Sequence, residues 1–159
     1  MPINYLIGDA TDPQGTGSKI IIHCCNDIGA WGAGFVKALS ARWPEPEAEY
    51  QRLHQSQGGF KLGTVHFVEI KGVPGLCVAN MIGQKGIKNR SGNDVPVRYP
   101  ALYDCLEEVA KFASANAATV HAPRFGAGLA GGDWRIIECI VEKTLIQRGI
   151  SVTVYDLAV

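Results

Sequence analysis

Lys19-Ile20-Ile21-Ile22-His23, running on through Cys24-Cys25-Asn26-Asp27-Ile28-Gly29-Ala30-Trp31-Gly32-Ala33-Gly34, is the stretch that decides the fold. From Lys19 to His23 the apolar run has no polar alternation. A strand of that kind is buried on both faces, as at the centre of a sheet with helices packed on either side. The residues that follow are turn chemistry closing on glycines. From Gly34 to Trp43 the positions Phe35, Val36, Leu39 and Trp43 then fall at helical spacing and stop before Pro44. A buried strand that passes through a glycine loop into a helix is a building unit of an α/β sheet.

Working outward, Asn4 to Ile7 reads as a short strand that leaves the sheet into Gly8-Asp9-Ala10-Thr11, and Glu45 to Ser56 as a second, more polar helix. Gly63 to Glu69 alternates with period two and Leu76 to Asn80 follows after a Gly/Pro turn, which predicts an antiparallel hairpin. Gln84 to Pro96, with Lys85, Lys88 and Arg90 inside it and Arg98 just beyond, reads as a surface loop. Leu102, Cys105, Leu106, Val109 and Phe112 mark one helix face and Ile136, Ile137, Ile140, Val141 and Leu145 another. Thr119 to Ala122 and Ser151 to Tyr155 are the strands around the latter. The expectation is an α/β fold: a three-layer α/β/α sandwich with a mixed central sheet, one domain over residues 1–159.

Composition narrows the partners. Fifteen Lys and Arg balance fifteen Asp and Glu, so no global positive field holds nucleic acid or an anionic membrane, and any anion must be bound locally. No segment resembles a signal peptide or approaches the roughly 18 apolar residues of a membrane span, so a cytoplasmic location is expected. Five cysteines, without a Cys-x-x-Cys spacing, read as reduced core residues. His54, His66 and His121 show no ligand spacing, and neither a metal nor a cofactor is expected.

Three loops leaving predicted strands carry the chemistry, because ligands of open α/β sheets sit beyond the carboxyl ends of the strands. In the first, Asp9 either accepts a proton of an adenine amino group or closes an Asx turn. In the second, Gly32 and Gly34 let backbone amides approach a diphosphate at the positive end of a helix. His23, at the end of its strand, is either a hydrogen-bonded core residue or exposed in a cleft, and Asn26 either caps the loop or meets a ribose diol. In the third, the four glycines between Gly126 and Gly132 let amides curl inward as an anion nest, with Asp133 as the N-cap of the following helix. The spacing lacks the third glycine of the dinucleotide fingerprint, which excludes a Rossmann-type oxidoreductase.

Gly8-Asp9-Ala10-Thr11, His23-Cys24-Cys25-Asn26 with Gly29 to Gly34, Pro123 to Leu129 and Val152 to Tyr155 together resemble the macrodomain family, in order and over almost the whole chain. The nearest branch contains ADP-ribose 1″-phosphate phosphatases and terminal ADP-ribose protein glycohydrolases. The resemblance implies an ADP-ribose cleft. Gly8, Asp9 and Ala10 would hold the adenine. Asn26 with Ala30, Trp31, Gly32, Ala33, Gly34 and Phe35 would surround the distal ribose and part of the diphosphate. Pro123, Arg124, Phe125, Gly126, Ala127, Gly128 and Leu129 would supply the remaining phosphate contacts. His23 is implied as acid/base or electrostatic stabiliser of a hydrolase. The glycohydrolase's catalytic lysine and aspartate align near Gln84 and Ala130, leaving Lys85 and Asp133 as the candidates to replace them. The expected partner is ADP-ribose or an ADP-ribosylated substrate, with nucleic acid entering only as an ADP-ribosylated acceptor. Two function classes follow: a hydrolase acting at the distal ribose, and a non-catalytic reader.

Overall fold

The computed structural model describes residues 2–87 and 95–158; Lys88 and Arg90 of the basic loop lie outside them. Among the described residues six strands, β1 (Asn4–Ile7), β2 (Lys19–Asn26), β3 (Val65–Glu69), β4 (Leu76–Gln84), β5 (Thr119–Ala122) and β6 (Val152–Asp156), form one sheet in the order β1-β6-β5-β2-β4-β3. All neighbours are parallel except the β3–β4 hairpin. The helices are α1 (Phe35–Arg42), α2 (Glu45–Gln57), α3 (Tyr99–Asn116) and α4 (Trp134–Thr144).

The uninterrupted apolar run of β2 explains the layering. Ile20 and Ile22 pack into one core with Leu102, Leu106 and Val109 of α3 and Ile137 and Val141 of α4. Ile21, on the opposite face, packs with Leu39 of α1 and Val78 of β4. Further along that face, Cys25 packs with Tyr50 of α2 and Ile82. Each face of one strand therefore buries its own helix pair, which is the predicted α/β/α arrangement.

Two strands run further than their sequence suggests. β2 was expected to end at His23 and continues to Asn26, and β4 continues past Asn80 to Gln84. The two extensions pair with each other, Cys24 with Met81 and Asn26 with Gln84, across a register shift at Cys25/Asn26. On its other side β2 pairs with β5 only at Lys19, Ile20 and Ile21. Beyond Ile21 the two strands part, and the chain leaving β5 turns away. That divergence at the point where the strand order reverses opens the crevice that α/β sheets use for ligands.

A buried relay ties the β1–β2 connection down. The Gln14 N–H donates to the Tyr155 hydroxyl at 2.9 Å. Tyr155 Oη lies 2.8 Å from His121 Nδ1, and His121 Nε2 lies 2.7 Å from Thr119 Oγ1. Among the described residues no helix is long and apolar enough to cross a membrane.

Candidate ligand cleft

A cleft of about 560 Å³ lies over the carboxyl ends of β2, β4 and β5, between the two glycine loops. Asn26 and the run from Ala30 to Phe35 line one wall. Pro123, Arg124, Phe125, Gly126, Gly128 and Leu129 line the other. These are the sequence-predicted residues, brought together from segments almost a hundred positions apart. Gln84, Ile87, Val36 and Ala130, with His23, Cys24 and Cys25 below, complete the lining.

The walls present backbone N–H groups. Gly34, with φ of 79°, is the N-cap of α1, with no side-chain cap. Among the described residues, nothing accepts from the N–H of Gly32, Ala33 or Gly34, or from those of Gly128 and Leu129. A side chain added at Gly32 or Gly128 would meet open space, so the backbone here is bare toward the cavity. With the positive end of α1 aimed at the same place, the cleft is an anion site built from amides. Among the described residues Arg124 is the one cationic side chain in the lining.

Asn26 is an organiser of the first loop. Its Oδ1 accepts from the N–H groups of Ile28 (3.1 Å) and Ala30 (3.0 Å) and lies 2.8 Å from Tyr50 Oη, while Nδ2 donates to the Ala30 carbonyl at 2.6 Å. One Nδ2 proton is left to face a ligand, so the donor-and-acceptor pairing with a diol is reduced to a donor. Asp9 takes the Asx geometry: Oδ1 accepts from Thr11 N and Oγ1, both at 2.8 Å. Its Oδ2 stays open, 4.0 Å from Arg42. Gly8, Asp9, Ala10 and Ala127 are outside the cleft lining, and the first three sit at the end of β1, on the far side of β6 and β5.

Of the three residues expected to be catalytic, the structure places His23 in the cleft lining and Asp133 and Lys85 outside it. His23 is 1 % exposed, in mid-strand because β2 runs on. Its ring forms part of the cleft floor, beneath Trp31 and Phe35 at 5.5 and 5.7 Å between ring centres. Nε2 lies 2.6 Å from Asn80 Oδ1, and the Asn80 amide donates to Pro46 O. The amide orientation makes His23 the donor at Nε2, and burial pushes its pKa down to about 4. It is a hydrogen-bonded histidine inside its strand and not at the strand's end. Asp133 caps α4 by accepting from the Arg135 N–H at 2.9 Å and pairs with the Arg135 guanidinium, which holds its carboxyl below the ordinary range. Asp133 is absent from the cleft lining, and so is the exposed Lys85, whose N–H is tied to Pro96 O. The cysteines of the floor are held as thiols: burial pushes Cys24 up to about 12 and raises Cys25 well above an ordinary thiol.

Two features escaped the sequence reading. Asp27 Oδ1 accepts the Gly86 N–H at 2.7 Å and so joins the first glycine loop to the end of β4. Arg124 makes a two-pronged pair with Asp156, Nε to Oδ1 at 2.7 Å and Nη2 to Oδ2 at 2.9 Å, and its guanidinium lies over the rings of Tyr5 and Trp134. Neither shows as a motif, because each joins residues distant in sequence. A broader, more open groove of about 740 Å³ at the far end of α1, against Asp12, Lys19 and Trp43, involves neither glycine loop.

No family model matches the chain. A protein of unknown function from Bacteroides thetaiotaomicron is 53 % identical, with a TM-score of 0.94 and 99 % of each chain covered. A macrodomain protein from Streptomyces coelicolor is 49 % identical, with a TM-score of 0.85, over 97 % of this chain and 98 % of that one. The DarTG protein of Thermosipho africanus, solved in complex with ADP-ribose, shares the fold at a TM-score of 0.68 and 15 % identity, over 88 % of this chain and 38 % of that one. Among curated proteins, the chromodomain-helicase-DNA-binding protein 1-like of Danio rerio is 32 % identical over 96 % of this chain. This chain spans only 15 % of that relative's length. An ADP-ribose 1″-phosphate phosphatase of Meyerozyma guilliermondii is 22 % identical over 94 % of this chain and 98 % of its own length.

Proposed function

This chain belongs to the macrodomain family, and from that premise we propose that its cleft binds ADP-ribose, free or attached to an acceptor. The observation that carries the reading is the pair of bare glycine walls converging on the N-terminus of α1. A diphosphate between them takes charge-assisted hydrogen bonds from amides fixed before it arrives. The strand order gives the ligand a direction. From the β1 end, with Asp9, to the β4 end, with Gln84, there are four inter-strand steps, or about 19 Å at the usual strand spacing. That length suits an extended nucleoside diphosphate sugar. The adenine lies toward Asp9, whose Oδ2 accepts from the exocyclic amine, and the distal ribose lies toward Asn26 and Gln84.

Hydrolysis at the distal ribose is a second reading, favoured by the phosphatase relative matched over nearly its whole length. In this reading the attacking group is water. The position of the glycohydrolase lysine holds Gln84, an amide without a nucleophilic amine, and among the described residues the cleft lining has no Asp, Glu or Lys. The cleft then acts by fixing the ribose and diphosphate in place, and not through a covalent intermediate. The same lack of an acid or base favours a plain reader.

Calorimetric titration with ADP-ribose, followed by incubation with ADP-ribose 1″-phosphate and with ADP-ribosylated peptides, separates these outcomes. Binding with multiple turnovers assigns a hydrolase. Binding with no turnover of any linkage assigns a reader. A folded chain that ignores ADP-ribose refutes the proposal.

A further inference from the structure

We infer that Asp27 is the positioning residue that sets the selectivity of the cleft for the distal sugar, acting through the segment from Gln84 to Ile87. The inference rests on the cleft reading above. Asp27 itself is absent from the lining, whereas Gln84 and Ile87 form the β4 side of the cavity. The β2–β4 ladder makes its last backbone bond from Asp27 N to the Gln84 carbonyl at 3.1 Å. Past that point the chain enters a turn at Gly86, with φ of 62°. Among the described residues the Gly86 N–H has one acceptor, Asp27 Oδ1 at 2.7 Å. Gln84 completes the turn by donating from Nε2 to the Gly86 carbonyl at 2.9 Å.

The carboxylate thus holds the peptide that fixes where Gln84 and Ile87 stand. Asp27 is held in turn: its own carbonyl accepts from Phe60 N at 3.3 Å, and the preceding Asn26 is gripped by Tyr50. The other bonds of the segment, Lys85 N to Pro96 O and Arg98 N to Gly83 O, are on its far side. Removing the carboxylate leaves the near side untied past Gln84, and the competent arrangement becomes one of several. Apparent affinity then falls by the fraction of molecules in that arrangement. The loss is confined to ligands that reach the β4 end, since adenine and diphosphate contacts lie over β1, β6, β5 and β2.

The test compares ADP-ribose with ADP, which lacks the distal sugar, by calorimetry on the wild type, Asp27→Ala, Asp27→Glu and Asp27→Asn. Thermal melts check that each variant folds. The wild type is expected to prefer ADP-ribose. Asp27→Ala, and Asp27→Glu with its carboxylate displaced by a methylene, should lose about tenfold for ADP-ribose with ADP affinity unchanged. Asp27→Asn, whose amide oxygen still accepts from Gly86, should keep the preference, and hydrogen exchange at Gly86 should quicken only in the Ala and Glu variants. A wild-type preference retained in both of those variants, or an equal loss for the two nucleotides, overturns the inference and leaves the cleft assignment standing. A wild type that binds neither nucleotide overturns both.

Discussion

His23 Nε2 and Asn80 Oδ1 meet at 2.6 Å inside the layer between β2, β4 and α2, where neither residue is more than 1 % exposed. Burial lowers the His23 pKa to about 4 from its ordinary 6.5. Between those values the unfolded chain takes up a proton that the folded chain refuses. The stability contributed is therefore full above about pH 6.5 and is lost as the pH falls toward 4, by up to about 1.4 kcal/mol per pH unit. His121, also lowered to about 4 by burial, adds to the same slope. Urea unfolding at pH 7, 5.5 and 4.5 should show the decline, and His23→Gln, which keeps a donor for Asn80 but cannot titrate, should flatten it. An unchanged slope in that variant would remove His23 from the account. The same neutrality means that any turnover should show no inflection from His23 between pH 5 and 8.

Two glycines of the third loop separate binding from folding. A side chain at Gly128 meets nothing within 4 Å, whereas a Cβ at Gly132 would sit 2.5 Å from the Gly126 carbonyl oxygen and 3.0 Å from Val97. Gly128→Glu should leave stability within about 0.5 kcal/mol of wild type while placing bulk and negative charge in the cleft, abolishing ADP-ribose binding. Gly132→Ala should cost about 1–3 kcal/mol, because a backbone oxygen cannot rotate aside. Thermal melts and titration on the two proteins decide it, and a destabilised Gly128→Glu would mean that the loop packs otherwise.

Much of this architecture could be read from local patterns, and what could not has a common cause. β5 spans Thr119 to Ala122 as its run of residues predicts, and Asp133 caps α4 as its position predicts. The end of β2 was misjudged because Cys24-Cys25-Asn26 carries turn chemistry locally. What makes it strand is the pairing with Met81 to Gln84, more than fifty residues away. The fate of His23 follows from that extension, since three more strand residues bury it. Asp27 gave no signal for the same reason: beside Asn26 and Gly29 it looks like one more turn residue, and its partner is 59 positions distant.

The Asn26 amide should matter more to the fold than to ligand contact. Asn26→Ala strands the N–H groups of Ile28 and Ala30 and the Ala30 carbonyl, at a cost of about 2–4 kcal/mol. Tyr50→Phe removes a hydroxyl whose one proton serves the Asn26 backbone carbonyl and Oδ1, at 2.7 and 2.8 Å, and should cost nearer 1 kcal/mol. Denaturant melts that reverse this order would show that the loop is held from α2 and not from within.

Arg124 provides the sharpest test of how the cleft holds its phosphates. Its side chain is 44 % exposed and that of Asp156 35 %, so the pair adds little to stability, about 0–1 kcal/mol after solvent screening. Its geometry is nevertheless fixed, with Nε and Nη2 on the carboxylate and the guanidinium over Tyr5 and Trp134. Among the described residues Nη1 carries no bond, which leaves its two N–H groups and one of Nη2 free on a rigid cation in the cleft lining. Arg124→Ala should leave the melting temperature nearly unchanged and weaken ADP-ribose, AMP and ribose 5-phosphate alike, on the order of tenfold. Arg124→Lys should not restore the loss, because an ammonium cannot grip Asp156 with two parallel bonds while facing a ligand. Asp156→Asn should reproduce part of the loss, and in the double variant the two effects should not add, since both act through one guanidinium. Additive losses would mean that Asp156 touches the ligand directly. No loss in Arg124→Ala would mean that backbone amides alone hold the phosphates.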